Sequence, residues 1–223
     1  MQPFFDTLNK SLAVSLRDVR FSAAMLSLLL SAWCVYIDNV VNNDGILYLR
    51  GAELIADGDW QGAVALYKWP FYAVLIAAVQ PMTGLSFEYT AHLLNAVFAA
   101  ITVVTFISIT REAGGDKKVM VAAAVVVLLY PGLNEYRSFV IRDAGYLAFY
   151  LLALLLFIRE MKAPSLGRRF AWAACMLLAA LFRIEGLVFL CGLLLMRQWQ
   201  QTTSASARLG LDRKSTRLNS SHS

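Results

Sequence analysis

The residues whose types suit chemistry gather in one polar stretch, 42–72, where the carboxylates Asp44, Glu53, Asp57 and Asp59 share the chain with Arg50 and Lys68. A carboxylate can take a proton from a hydroxyl or amine as that group attacks an electrophile, and a nearby lysine or arginine can hold an anion that develops. Further along, Arg137, Arg142 and Asp143 fall between two apolar runs, and Arg183 and Glu185 interrupt another. The stretches around all of them are strongly apolar. Ionisable side chains do not lie in hydrocarbon without a partner or a water-filled pocket, so these groups are expected in aqueous space at one face of a bilayer.

Each residue also has a plainer role. Asp44 can N-cap a short helix, and Asp143 can cap the next one while pairing with Arg142. Arg183 and Glu185 fit a snorkelling pair at a helix turn. Tyr48 and Arg50 can point at a substrate or anchor an interfacial helix. Glu88 and His92, four apart on one helical face, invite a metal or phosphate reading, but a satisfied helix-end pair explains them as well. Trp33, Tyr36, Trp60, Trp69, Tyr72 and Tyr89 fit an aromatic belt at headgroup level. No carboxylate–histidine cluster has metal-ligand spacing, so no metal is assigned and a divalent metal requirement stays open.

The elements that must position these groups follow from composition. The hydrophobic fraction is 59% and the charged fraction 16%, with a mean hydropathy of +0.58. Those values exceed what a soluble domain of this length carries. The apolar runs are continuous rather than alternating, which predicts an all-α, polytopic integral membrane protein and excludes a barrel. Cys34, Cys175 and Cys191 lie inside apolar runs without paired spacing and read as small buried residues. Residues 212–222, DRKSTRLNSSH, resemble the translation of a DNA sequencing-library adapter. Setting them aside removes three basic residues and one acid and lowers the formal charge from +5 to +3, so the basic balance is no argument for nucleic acid.

In chain order, 1–20 is amphipathic and basic, which predicts a cytoplasmic N-terminus ahead of a first span, 21–37. The acidic segment 38–86 then forms an exterior loop. Within it a short interfacial helix runs from Asp44, as N-cap, to a stop at Gly58. A second short run, Pro70 to Val79, is bounded by Pro70 and Pro81 and is too short to cross. Spans are expected at 87–110, 119–136 and 144–158. Over 170–196 a single tilted helix would bury Arg183 and Glu185 mid-membrane, whereas a hairpin of two short helices, the preferred reading, puts them at the outer face. The turns carrying Lys117, Lys118 and Arg159 to Arg169 then lie inside, with a polar tail at 197–211.

Asp44, Tyr48, Ala52, Leu54, Gly58, Asp59 and Trp60, followed by Lys68-Trp69-Pro70-Phe71-Tyr72, resemble the first exterior loop of the polytopic GT-C glycosyltransferases. That class includes aminoarabinose transferases of lipid A and protein O-mannosyltransferases. His92 to Phe98 resembles the start of the second span of that class, Arg142-Asp143 its second outer acid, and Leu181 to Gly186 its later basic break. The likeness covers 21–196 and differs in Gly45, where many relatives carry a second acid, and in Trp69-Pro70, where many carry Pro-Pro.

The resemblance implies transfer of a sugar from a polyprenyl-phosphate carrier to a lipid, glycan or protein acceptor on the exterior face of a bacterial inner membrane. It implies Asp44 and Asp143 as catalytic acids, and Tyr48, Lys68, Arg137, Arg142, Arg183 and Glu185 as substrate contacts. It also implies that the chain is the N-terminal membrane half of a longer enzyme and inactive alone. The alternative is a non-catalytic carrier or flippase for a lipid-linked or small solute, which calls for charges at the bilayer midplane and repeat symmetry.

Overall fold

A computed structural model describes residues 18–38 and 40–199. The amphipathic N-terminus up to residue 17 and the tail from residue 200, including the adapter-like segment, lie outside the described residues. Within them the chain is all-helical. The elements are α1 (Val19–Ile37), α2 (Asn43–Ala56), α3 (Trp60–Leu66), α4 (Phe71–Thr83), α5 (Phe87–Glu112), α6 (Lys117–Leu129), α7 (Pro131–Glu135), α8 (Asp143–Lys162), α9 (Leu166–Phe182) and α10 (185–199). Three of them, α1, α5 and α8, are long and apolar enough to cross a membrane.

Helix starts follow capping chemistry. The Asp18, Ser86, Asp116 and Ser165 side chains accept the backbone N–H of Arg20, Tyr89, Val119 and Arg168 respectively. Gly58 and Gly84 follow α2 and α4 with φ of 83° and 68°, a left-handed conformation in which a side chain is strained.

Several boundaries differ from expectation. The N-cap of α2 is Asn42 and Asp44 lies in its first turn. The Asn42 side chain caps nothing in its own helix, because its Oδ1 accepts the Val140 N–H at 2.9 Å. Helix α4 continues through Pro81 to Thr83 and ends at Gly84, where Pro81 had been expected to bound it. A proline forfeits one backbone bond, and here the flanking turns tolerate that loss. The expected span 119–136 is broken at Tyr130-Pro131 into α6 and α7, leaving a thirteen-residue α6. Pro131 occupies the first position of α7, where its missing N–H costs nothing, and Tyr130 before it is extended.

The helices define two ends. At one, Asp18 lies within electrostatic reach of Arg111. There Glu112 binds Arg159 and Lys162 across α5 and α8, each at 2.9 Å. Glu160, almost fully buried, accepts from Arg169 at 2.9 Å and Arg197 at 3.3 Å, clamping α8, α9 and α10. A buried carboxylate needs such pairing, because an isolated charge there costs several kcal/mol, roughly, in desolvation. At the other end, Ser138 donates to Asp38 at 3.2 Å, and the Trp69 indole N–H donates to the Leu181 carbonyl at 2.6 Å.

Leu190 and Leu193 pack with Met176, Ala179 and Ala153, so α9 and α10 form the expected hairpin and Arg183-Ile184 is its turn. Helix α4 runs antiparallel to α5. Its start lies two turns along α5, where the Tyr72 hydroxyl donates to Asn95 Oδ1 at 2.8 Å, and its end lies near α5's start, where the Thr83 and Thr90 hydroxyls stand 3.3 Å apart. At about 1.5 Å per residue, α4 is about 20 Å long and covers only the first turns of α5.

Candidate functional site

The core beneath the Asp38–Asp44 end is aromatic. Phe182 stands edge-on to Phe71 and Phe98, with centroids at 5.0 and 5.4 Å, and stacks on Phe149 at 5.9 Å. A Cβ at Gly145 would meet the Phe182 ring at 2.4 Å, so only glycine lets α8 approach here. This plug ties α4, α5, α8 and α9 together and fixes the helix ends that carry charge.

The Asn42–Val140 hydrogen bond then stitches the start of α2 to the segment before α8. That places Asp44, Arg142 and Asp143 at the same end. A Cβ at Gly45 would meet Asn42 Oδ1 at 2.7 Å and the Val140 Cβ at 2.9 Å. The seam therefore has no room for a second acid after Asp44, which accounts physically for glycine at that position.

Two groups of charges result. On the rim, Asp44 is exposed, and the Tyr48 ring one turn on is buried edge-on against Tyr67 and Tyr72 at 5.5 and 5.3 Å. The Arg142 guanidinium stacks 5.4 Å from the Tyr67 ring centroid. Burial is the chief reason the Tyr48 phenol is pushed well above its ordinary range. Arg142 opposes that rise, while Tyr67 and Asp44 add to it. Tyr48 keeps its proton at neutral pH, with Arg142 and Asp44 both within electrostatic reach of its phenol.

In the second group, Asp143 begins α8 and accepts from Arg183, not from Arg142. Arg183 also binds Glu185 at 2.8 Å and lies 5.8 Å from the Tyr146 centroid. Those two carboxylates, Glu185 first, raise the Arg183 guanidinium above its usual range. Arg183 in turn holds the Glu185 carboxyl down at about 2. Asp143 and Arg183 line a part-enclosed cavity of about 290 Å³ with Arg137, Asn95, Tyr136 and Tyr146.

The structure therefore brings Asp44, Tyr48 and Arg142 together, and separately Asp143, Arg137, Arg183 and Glu185. The two candidate acids share one end of the bundle but not one cavity, since Asp44, Arg142 and Lys68 are not in its lining. Lys68 lines a shallow hollow of its own with Trp60, Gln61 and Val64.

Several plainer readings also change. Tyr72 is fully buried, so it belongs to the core and not to an aromatic belt. His92 lies within electrostatic reach of Glu88, but its Nδ1 is buried without a hydrogen bond, so the pair leaves that nitrogen unsatisfied. Among the described residues no group of three His, Cys, Asp or Glu side chains could hold a metal ion.

Composition did not single out Asn95, Tyr67, Tyr136 or Tyr146. Asn95 carried a signal, a carboxamide in the middle of an apolar helix, where such a group must find partners. It accepts from Tyr72 and donates to the Phe139 carbonyl at 2.9 Å. The three tyrosines carried none, because phenols at the ends of apolar runs look alike whether they face lipid or a site.

No family model, no curated protein and no solved structure matches this chain.

Proposed function

We propose that the chain is the membrane half of a glycosyltransferase that takes a sugar from a polyprenyl-phosphate carrier and passes it to an acceptor at the exterior face of a bacterial inner membrane. One observation carries the reading. The α2–α8 seam gathers Asp44, Tyr48 and Arg142 at one end of the bundle, beside the Asp143–Arg183–Glu185 group. A transferase acting on a lipid-borne sugar needs acids and cations at one membrane surface, where the carrier presents its headgroup.

In the proposed step an acceptor O–H or N–H attacks the anomeric carbon. Its proton passes to the Asp44 carboxylate, the bond from anomeric carbon to phosphate oxygen breaks, and the electron pair leaves with the lipid phosphate. Arg142 is the rim cation placed to hold that developing charge. Asp44 suits the base role because it is exposed and without an ion pair among the described residues, whereas Asp143 is already bound by Arg183. Asp143 is better read as the group that orients Arg183. The membrane, with lipid, glycan or protein acceptors, supplies the partners.

The carrier reading keeps one supporting observation. Arg137 is buried along α1, away from the rim, and charge at depth is what a transport pathway requires.

The test is sugar transfer by the full-length protein in membranes supplied with polyprenyl-phosphate sugar. Asp44→Asn should lose about a hundredfold or more, the scale of a general base, with normal insertion. Asp57→Asn, at the C-cap of α2, should change the rate little. Equal, small losses from both would remove the transferase mechanism.

A further inference from the structure

Between α1 and α5, at the Asp38 end, lies a lateral groove of about 760 Å³, lined by Leu28, Ala32 and Tyr36 on one side and by Tyr89, His92 and Ala96 on the other. Both helices are long and apolar enough to span a bilayer, so in a membrane the groove opens on lipid. Its polar groups are ordered by depth. Tyr36 and Tyr89 stand exposed at the mouth, next to the end of α1 and in the first turn of α5. His92 follows Tyr89 by three residues and so lies about 4–5 Å lower, and from Tyr36 down to Leu28 the groove descends about 12 Å. That is most of the hydrocarbon of one leaflet, about 15 Å. Ser31, near the bottom, already accepts from Arg137 at 2.7 Å.

His92 has no such partner. It is 7% exposed, and its Nδ1 is buried without a hydrogen bond. A neutral imidazole carries its proton on one nitrogen only. A proton on Nδ1 would be a buried N–H without an acceptor, a rarer arrangement than a bare acceptor atom, so the proton belongs on Nε2. No protein acceptor is bonded to Nε2 among the described residues. With Nδ1 closed off, what stays accessible of the ring belongs to its other atoms, and the ring lines the groove.

We infer that this groove is a binding site for a diacyl glycerolipid of the leaflet at the Asp38 end, with one ester carbonyl accepting the His92 N–H. An acyl chain fills the groove below, and the headgroup lies at the level of the two tyrosines. The match is one of order, since headgroup, ester and chain descend past phenols, imidazole and apolar side chains in turn. The carbonyl is what completes it, because hydrocarbon at the depth of His92 would leave the imidazole donor unpaired. A polyprenyl phosphate has only hydrocarbon there. None of Asp44, Arg142, Asp143 and Arg183 lines the groove. The site is therefore separate from the proposed transfer site and stands whether or not that reading does.

The experiment uses the full chain purified in detergent. Native mass spectrometry follows titration with dioleoyl phosphatidylethanolamine, with its dialkyl ether analogue, which lacks both carbonyls, and with decaprenyl phosphate. The diester should be retained about three- to tenfold more tightly than the diether, the scale of one neutral hydrogen bond. The chain has two histidines, His92 and His222, so nitrogen-15 labelling of histidine reports the ring directly. The His92 signals should place the proton on Nε2, and should shift saturably with the diester and far less with the diether.

His92→Phe keeps the bulk and removes the donor, so the preference for the diester should fall to parity. Should that variant fail to fold, Ala32→Phe narrows the groove from α1 and leaves His92 in place, and it should weaken retention of the diester at least tenfold. Equal retention of diester and diether by the parent protein, a preference that survives His92→Phe, His92 signals that do not move, or full retention in Ala32→Phe would overturn the inference. Tighter retention of decaprenyl phosphate accompanied by the His92 shift would overturn it as well, by assigning the groove to a polyprenyl lipid.

Discussion

Arg183 is the residue that ties two carboxylates of the site together. It answers Asp143 forty positions earlier and Glu185 two positions later, so it joins the start of α8 to the α9–α10 turn. Its pairing with Glu185 has a pH signature. The Glu185 carboxyl is lowered from an ordinary 4.5 to about 2 by the Arg183 hydrogen bond. A carboxyl depressed in the folded state adds stability that is fully present above its unfolded value and lost as pH falls through the folded one. The difference in melting temperature between the parent protein and Arg183→Gln should therefore be constant above pH 4.5 and shrink as pH falls from 4.5 toward 2. Asp18, also held at about 2, by its hydrogen bonds from Arg20, is common to both proteins and cancels in the difference. A pH-independent difference would mean that this exposed pair is screened by solvent and adds nothing measurable.

At the scale of elements, periodicity and punctuation made most helices legible, because a long apolar run between polar turns has few alternatives to a helix. The hairpin at 170–196 was legible for the same reason, since burying Arg183 and Glu185 in mid-span costs more than a turn. What local sequence could not show was partnership. Nothing near Tyr72 distinguishes a belt tyrosine from one whose hydroxyl reaches Asn95 on another helix. Nothing near Arg137 says that two serines on α1 will receive it, although their spacing of four in an apolar helix marks a polar stripe. Pro81 misled because a proline near a helix end costs less than one in mid-helix.

The Asn95 junction offers a direct measurement at this scale. Asn95 joins α4, through Tyr72, to the segment before α8, through Phe139. Asn95→Ala leaves the Phe139 carbonyl without this donor and Tyr72 with only its longer bond to the Ala91 carbonyl at 3.3 Å. It should cost about 2 kcal/mol, in the range for stranding buried polar groups. Tyr72→Phe should cost less, and the double variant should fall short of the sum by about 1 kcal/mol, as contacting residues do. Denaturant titration in mixed micelles measures all three, and strict additivity would show that the hydrogen bond contributes nothing net.

For the whole molecule, the decisive feature is how charge divides between the two ends. The turns holding Arg111, Lys117, Arg159, Lys162 and Arg169 meet through Glu112 and Glu160 at one end. Asp38, Asp44, Asp143 and Glu185 lie toward the other, where Ser138, Asn42 and Arg183 join the segments that carry them. Short loops rich in lysine and arginine stay on the cytoplasmic side, so the first end should face inward and the candidate site outward. Gln61 on exposed α3 and Lys117 at the start of α6 are the reporters, both exposed. With Cys34, Cys175 and Cys191 replaced, Gln61→Cys in intact cells should react with an impermeant maleimide, and Lys117→Cys should react only after the membrane is opened. The reverse pattern would put Asp44 in the cytoplasm, on the wrong side for an exterior acceptor. Labelling of both from outside would mean either that α5 does not cross or that α4 crosses with it, and the second case moves Arg142 and Asp143 to the inner face, away from Asp44.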